Sequence, residues 1–183
     1  GDVYKRQEET MNEIREEESI ADRLCKGITD YLIRISSLAI NEKEHQHVAS
    51  LLQIVSDIER ISDYCENISE YAENLANQKK KFSGVGAAEM KEMLEVCSDS
   101  FTYAVEAFEE NSAEKALKVI EKERSADDLE IRLRADHMQR LANKQCDTEA
   151  GIVFLDALVG LERISDHSRN CLLYTSPSPR DRS

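Results

Sequence analysis

The amino-acid sequence predicts an all-α protein made of tandem antiparallel three-helix bundles, and three observations support this. Both prolines of the 183-residue chain lie close to its end, at positions 177 and 179, so the preceding sequence permits long helices. Apolar residues recur at steps of three, four and seven, which is the period of an α-helix. Tryptophan is absent and aromatic residues make up 5% of the chain, which favours an aliphatic helical core.

The apolar pattern divides the chain into five helices. The predicted helices span residues 8–39, 41–80, 87–110, 111–144 and 148 onward. The apolar positions of the first helix are Ile14, Ala21, Leu24, Ile28, Tyr31, Leu32, Ile35 and Leu38. Asn41 with Glu44, and Asn111 with Glu114, have the spacing of a capping box at a helix start. The short connections between helices predict antiparallel neighbours.

We expect the helices to form two units. Residues 8–110 are predicted to form the first bundle, and residues 111–170 a second bundle that is truncated. Because its third helix would be missing, the second bundle is expected to expose Phe154, Leu158 and Leu161.

The two ends of the chain differ from the sequence between them. Residues 1–7 and residues 171–183 resemble translated sequencing-adaptor sequence, and the second segment carries both prolines. We therefore expect residues 8–170 to be native and both end segments to be non-native. A natural disordered tail is the alternative interpretation.

The composition limits the classes of partner. The formal net charge is −13, which disfavours nucleic acid because phosphate binding needs clustered Lys and Arg. An acidic surface instead suits cations or basic partners. The five cysteines form no Cys-x-x-Cys pair, which is typical of a reducing compartment and predicts a cytoplasmic location. No apolar run approaches the ~20 residues that cross a bilayer, so direct membrane insertion of this segment is not expected.

An internal repeat is the most informative feature of the sequence. The pentapeptide from Glu59 to Asp63 recurs letter for letter 103 residues further along (162 − 59), between Glu162 and Asp166. Each copy of the pentapeptide is preceded by another Glu-x-x-x-Asp motif. This motif is Glu18 with Asp22 in the first half and Glu123 with Asp127 in the second half, an offset of 105 residues (123 − 18).

The spacing of these motifs suggests metal binding. Residues four apart on a helix are neighbours on one face, so Glu and Asp there repel each other until a cation lies between them. Oxygen-only ligands select hard cations such as Mg²⁺, Mn²⁺ or ferric iron. A purely solvated acidic face is the alternative interpretation. The predicted metal ligands are Glu18, Asp22, Glu59, Asp63, Glu123, Asp127, Glu162 and Asp166.

These motifs resemble the signatures of the PhoU family of phosphate-uptake regulators. The strongest match is Glu162-Arg-Ile-Ser-Asp166 followed by His167 and Asn170, whereas Tyr64 replaces the histidine in the first half. The resemblance implies tandem three-helix bundles that bind metal clusters, usually of iron or zinc, and that contact a phosphate transporter. It also implies regulation of phosphate homeostasis rather than catalysis.

The family has two forms, and the sequence favours one of them. The stretch between Cys146 and Asp156 looks more like the cytoplasmic C-terminal region of sodium/phosphate cotransporter-like proteins. We therefore expect an appendage on the cytoplasmic face of the membrane, bound to its own membrane domain. A free-standing phosphate uptake regulator, bound to a separate transporter subunit, is the first alternative. A metal-free helical scaffold or dimerisation domain, forming a homodimer, is the second.

No catalytic role is predicted for the remaining titratable residues. The chain carries none of the Gly-rich phosphate loops or nucleophile motifs of enzymes, so no catalytic residue is predicted. His137 is expected to be solvated, and Arg163 to form a structural salt bridge. His167 is interpreted as a metal ligand or as a donor that orients one.

Overall fold

A computed structural model of the protein describes the backbone of residues 2–173 and the side chains of residue 6 and residues 8–173. Five helices account for nearly all of this range, and none of the described residues lies in a β-strand, which confirms the all-α prediction. The helices are α1 (Asp2–Ser36), α2 (Glu42–Asn77), α3 (Gly84–Glu110), α4 (Ala113–Ala142) and α5 (Thr148–Leu173). Within the described part of the chain, no helix is long and apolar enough to cross a membrane.

The non-native origin of the two end segments stays a prediction. Residues 2–7 continue α1 as helical backbone, and residues 171–173 continue α5. The rest of the predicted non-native tail, residues 174–183, lies outside the described residues.

One of the two predicted capping boxes is confirmed. The Asn41 side chain accepts from the backbone N–H of Glu44, and the Glu44 side chain accepts from the N–H of Asn41. The second prediction is wrong. Asn111 has φ 50° and ends α3 in the left-handed conformation that asparagine tolerates, while the Ser112 side chain caps α4 by accepting from Lys115 N–H.

The helices group differently from the predicted bundles. Among the described residues, α3 packs on α4 and α5, whereas α1 contacts α2 alone and α2 contacts α1 and α5. The complete three-helix bundle is therefore α3–α4–α5, and the assignment of α3 to a first bundle over residues 8–110 is wrong. The physical reason is the tight turn at Asn111 and Ser112, which folds α3 directly back against α4.

The core of the complete bundle also corrects the predicted truncation. Phe154 and Leu158 are fully buried and Leu161 is nearly so, because α3 covers them. Met93 and Cys97 supply the matching apolar face of α3. The second half is thus a closed bundle, whereas no third helix packs on the α1–α2 pair within residues 2–173 apart from its contact with α5.

The two halves meet where α2 crosses α5. In this interface Asp57 contacts His167, and Tyr64 and Ile68 pack against Gly160. With the offset of 103 residues, Asp57 corresponds to Gly160 and Tyr64 to His167. The interface therefore has approximate two-fold symmetry and brings the two copies of the repeated pentapeptide together.

Candidate metal-binding surface

The predicted ligands of the first half come together between α1 and α2. Partial burial raises the pKa of Glu18, and so do a side-chain hydrogen bond and charge repulsion from Asp22 and the charges of Glu66 and Asp63. Like charges from two helices therefore share one surface. We call Glu18, Asp22, Asp63 and Glu66 the first acidic cluster.

Glu59 and a buried thiol border this cluster. Burial raises the pKa of the Cys25 thiol, and the charges of Glu59, Asp22 and Asp63 raise it further. All four predicted ligands of the first half thus lie on one side of the α1–α2 pair.

Three predicted ligands of the second half form a corresponding group between α4 and α5. Burial is the main cause that raises the pKa of Glu162, and the charges of Asp166, Asp127 and Glu130 add to it while Arg163 opposes it. Burial and the charge of Asp166 likewise raise the pKa of Asp127. We call Asp127, Glu130, Glu162 and Asp166 the second acidic cluster.

Two arginines form ion pairs with the predicted ligands of the second half and so reduce its negative charge. The buried carboxylate of Glu123 accepts a 2.8 Å hydrogen bond from Arg169. Arg163 lies 3.5 Å from Glu162 and 3.6 Å from Asp166, which confirms its interpretation as a salt-bridge residue. The position of Arg169 corresponds to Glu66 in the first half, so the two halves carry opposite charges at this point.

The two acidic clusters carry the negative charge that a cation requires, but their side chains do not form a complete coordination shell. Across the described residues, no three or more His, Cys, Asp or Glu side chains have a spacing that could hold a metal ion. The donors are carboxylate oxygens that repel one another, and this chemistry fits a cation of the hard class. The side chains of each cluster would have to rotate toward a common point before they could coordinate one.

A buried aspartate at the α2–α5 interface was not predicted from the sequence. Asp57 is 2% exposed, its Oδ1 lies 2.8 Å from Nδ1 of His167, and its Oδ2 has no hydrogen-bond partner among the described residues. The sequence does contain a signal for this burial. Asp57 lies at helical spacing between Ile54 and Ile61, both of which are buried, so it shares their inward face.

The prediction of a solvated His137 is wrong. Its ring is buried and stacks on Phe154 with the centroids 4.3 Å apart, and Nδ1 lies 3.3 Å from an Arg140 nitrogen. Arg140 in turn donates to Glu89 at 2.8 Å. Burial and the neighbouring positive charge of Arg140 lower the pKa of His137. This histidine belongs to the core of the α3–α4–α5 bundle.

Comparison with known proteins agrees with this packing. The profile of the PhoU domain family matches residues 2–72 and 90–175, that is, the α1–α2 pair and the α3–α4–α5 bundle. The chain belongs to the PhoU domain family. This confirms the resemblance seen in the repeated motifs.

Two relatives extend the comparison. The "Phosphate-specific transport system accessory protein PhoU homolog 1" of Thermotoga maritima is 28% identical over 173 residues, which cover 88% of this chain and 72% of that protein. The crystal structure of PhoU from Pseudomonas aeruginosa superposes with a TM-score of 0.81 over 90% of this chain and 78% of that one. At 21% identity, the structural likeness supports the fold alone.

Proposed function

We propose that this PhoU-domain protein is a regulatory accessory component of a phosphate transport system and acts by contacting the transporter. Family membership carries the proposal, together with a relative named as an accessory protein of phosphate-specific transport. Because that relative aligns with most of this chain, it favours the free-standing form over the cotransporter appendage. We propose a cytoplasmic location and no catalytic role.

We further propose that the acidic clusters bind metal ions and that the first cluster is the stronger site. The proposal is supported by the proximity of Glu18 and Asp22 on α1 to Asp63 and Glu66 on α2, whose charges act with partial burial and the Asp22 hydrogen bond to raise the pKa of Glu18. Its surroundings include Glu66, whereas the second half has Arg169 at the corresponding position. A divalent ion, such as iron, zinc, manganese or magnesium, would remove this repulsion and hold α1 against α2.

Metal binding is tested by titrating metal-stripped protein with Mn²⁺, Zn²⁺, Fe²⁺ and Mg²⁺ while following its melting temperature and its metal content. We expect Glu18→Gln combined with Asp63→Asn to abolish most of the metal-induced rise in melting temperature. Asp156→Asn on the exposed side of α5 is the matched control and should leave the rise intact. A response that persists in the double variant would reject the first cluster as the site.

The regulatory role is tested in bacterial cells that lack their own PhoU protein. Expression of this chain should restore the repression of phosphate uptake under phosphate-rich conditions, and an affinity tag should recover the transporter with it. A helical scaffold without a regulatory role would restore neither. The cotransporter form would be favoured if the chain bound no separate transporter but became active when fused to a membrane domain.

A further inference from the structure

A pocket lies between α2 and α5, outside both acidic clusters, and we call it the α2–α5 pocket. It has a volume of about 180 Å³, and its lining combines apolar residues with two tyrosine rings, an amide and one carboxylate. The lining includes Tyr64, Asn67 and Tyr71 of α2, and Asp156, Val159 and Gly160 of α5. Because ligand sites for drug-sized molecules begin at roughly 300 Å³, this pocket is suited to a single long side chain.

The internal repeat shows what the corresponding place in the interface contains. With the offset of 103 residues, Gly160 corresponds to Asp57, and Tyr64 corresponds to His167. Asp57 and His167 contact each other at 2.8 Å, so that place is closed by an internal pair of side chains. Gly160 offers no carboxylate to Tyr64. The α2–α5 pocket is therefore the part of the interface where this internal pair is missing.

The polar side chains of the pocket have no partners within the described part of the chain. There, the hydroxyl groups of Tyr64 and Tyr71 make no hydrogen bond, and the side chains of Asn67 and Asp156 make neither a hydrogen bond nor an ion pair. Asp156 is exposed at the rim and carries a negative charge. The pocket thus combines hydrogen-bond acceptors with a carboxylate that no cation of residues 8–173 neutralises.

Nearby cations on the same two helices already have acidic partners. Lys80, just after the end of α2, lies 3.4 Å from Asp147 and also binds Glu149. Arg163, further along α5, lies 3.6 Å from Asp166. A positive charge for the pocket would therefore have to come from another molecule.

The pocket also lies away from the side of α2 that corresponds to the α3-covered side of α5. In the closed bundle, Leu161 packs with residues of α3, and its counterpart on α2 is Ile58 (161 − 103). Asn67 follows Ile58 by nine residues (67 − 58), which is about two and a half helical turns, so the two side chains leave opposite sides of α2. A helix packed on α1–α2 as α3 packs on α4–α5 would leave the pocket open.

An arginine side chain fits the chemistry of this pocket. Its guanidinium group is flat and permanently charged, stacks on aromatic rings and donates up to five hydrogen bonds. The aliphatic stem can lie along Val159, while the head group meets the carboxylate of Asp156 and the amide oxygen of Asn67. A lysine would pair with the carboxylate but lacks the flat head group that stacks on tyrosine.

The source of this arginine follows from charge. The chain has a formal net charge of −13, which attracts basic segments. Cytoplasmic loops of membrane-spanning proteins carry an excess of lysine and arginine. We infer that the α2–α5 pocket receives an arginine side chain from a cytoplasmic loop of the phosphate transporter. The transporter as the source rests on the proposed function, and the pocket then identifies the surface through which the transporter is contacted.

The first test titrates the isolated chain with a blocked Gly-Arg-Gly peptide and with the same peptide carrying neutral citrulline in place of arginine. Fluorine-labelled tyrosine reports binding by NMR at the six tyrosines of the chain. The variants Tyr64→Phe and Tyr71→Phe assign the two signals of the pocket. The arginine peptide should shift these two signals more than the others, with a dissociation constant at least tenfold lower than that of the citrulline peptide.

The variant Asp156→Asn removes the charge of the pocket and keeps the shape of the side chain. It should weaken binding of the arginine peptide at least tenfold and leave the metal-induced rise in melting temperature intact, because the pocket and the acidic clusters are separate. Asp30→Asn makes the same change at an exposed position of α1 and should leave peptide binding unchanged. Circular dichroism verifies that both variants remain helical.

Three results of this titration would overturn the inference. The first is equal binding of the arginine and citrulline peptides, and the second is undiminished binding of the arginine peptide to Asp156→Asn. The third is a stronger response of the Tyr64 and Tyr71 signals to free spermidine than to the arginine peptide, which would identify a site for a small polycation.

The second test uses the recovery of the transporter from cells by an affinity tag. Asp156→Arg should reduce the recovered transporter at least tenfold, whereas Asp30→Arg should not. A photo-crosslinking amino acid in place of Asn67 should join the chain to an arginine-containing cytoplasmic loop of a membrane-spanning subunit. Changing that arginine to glutamate should restore recovery by Asp156→Arg.

The two proposals fail in different ways. If the wild type recovers no transporter, the proposed function fails together with the transporter as the source, while the peptide titration still decides whether the pocket binds arginine. If Asp156→Arg recovers as much transporter as the wild type, the inference fails and the proposed function stands.

Discussion

Oδ1 of Asp57 lies 2.8 Å from Nδ1 of His167, and this contact joins the two halves of the protein across the α2–α5 interface. Asp57 is two residues before Glu59, and His167 directly follows Asp166. The pair therefore fixes the relative position of the repeated pentapeptides. The Asp57 side chain is buried and that of His167 is largely so, and the Tyr64 ring stacks on the imidazole with the centroids 5.9 Å apart.

Removal of the His167 imidazole should destabilise the protein, because the buried carboxylate of Asp57 would lose its partner. We expect His167→Ala to lower the free energy of unfolding by roughly 3 kcal/mol, because Asp57 would then be buried without its partner. Urea denaturation measures the change. Asp57→Ala combined with His167→Ala should cost less than the sum of the two single variants, since the double variant leaves no unpaired group. Additive losses would show that the two side chains act independently.

Close packing at Gly151 gives a second prediction. A Cβ atom at this position would lie 2.7 Å from Cδ2 of Leu141 and 2.9 Å from Nε2 of His137, both in the tightly packed end of the bundle. We expect Gly151→Ala to destabilise the protein by roughly 1–3 kcal/mol through overpacking. Gly84→Ala is the matched control, since nothing lies within 4 Å of its added Cβ. Its effect should stay within about 0.5 kcal/mol.

Protonation of His137 should make the free energy of unfolding depend on pH. Burial and Arg140 hold its pKa in the folded protein below the ordinary value of 6.5, so the folded state resists protonation while the unfolded state accepts it. Glu89, bound to Arg140, opposes this shift. As the pH falls below 6.5, the unfolded state binds more protons, and the stabilisation present at higher pH is lost.

The variant His137→Leu isolates this contribution, and Leu32 occupies the corresponding position in the first half. We expect the wild type to lose more stability than the variant between pH 7 and pH 5, with a difference in slope of at most about 1.4 kcal/mol per pH unit, the value for one proton. Parallel pH profiles would show that His137 takes up a proton equally in both states.

The sequence contained enough to predict the helices but not how they group. Proline distribution, apolar period and the Asn41 capping box act locally, and they predicted five helices within about three residues of their ends, except that α1 begins at Asp2 rather than at residue 8. The grouping depends on which apolar faces meet. Periodicity marks Leu24 and Leu129 alike as apolar helix positions, although α3 covers only Leu129.

The candidate site was predictable to a similar extent. The repeat identified residue types and helix faces, and six of the eight predicted residues lie in the two acidic clusters, while Glu59 borders the first cluster and Glu123 pairs with Arg169. That they bind a metal stays a prediction. Pairing with arginine was not predictable from spacing alone, since the contact between Glu123 and Arg169 joins residues 46 apart in sequence. The burial of His137 also depends on a partner, Phe154, from another helix.

The contact between Arg169 and Glu123 yields the last prediction, which concerns the difference between the halves. Arg169 pairs with Glu123 and its positive charge also acts on Asp127 of the second acidic cluster, whereas Glu66 stands at the corresponding position of the first half. We expect Arg169→Gln to lower the melting temperature of metal-stripped protein, because Glu123 loses its ion pair. The same variant should gain a larger rise in melting temperature with Mn²⁺ or Zn²⁺, since a ligand that binds only the folded state stabilises it more as its dissociation constant falls below the ligand concentration. Lys91→Gln removes one positive charge from an exposed position of α3 and should change neither quantity.

If Arg169→Gln destabilised the protein without any gain in its response to metal, the second half would bind no cation in place of the arginine, and its carboxylates would have a structural role only.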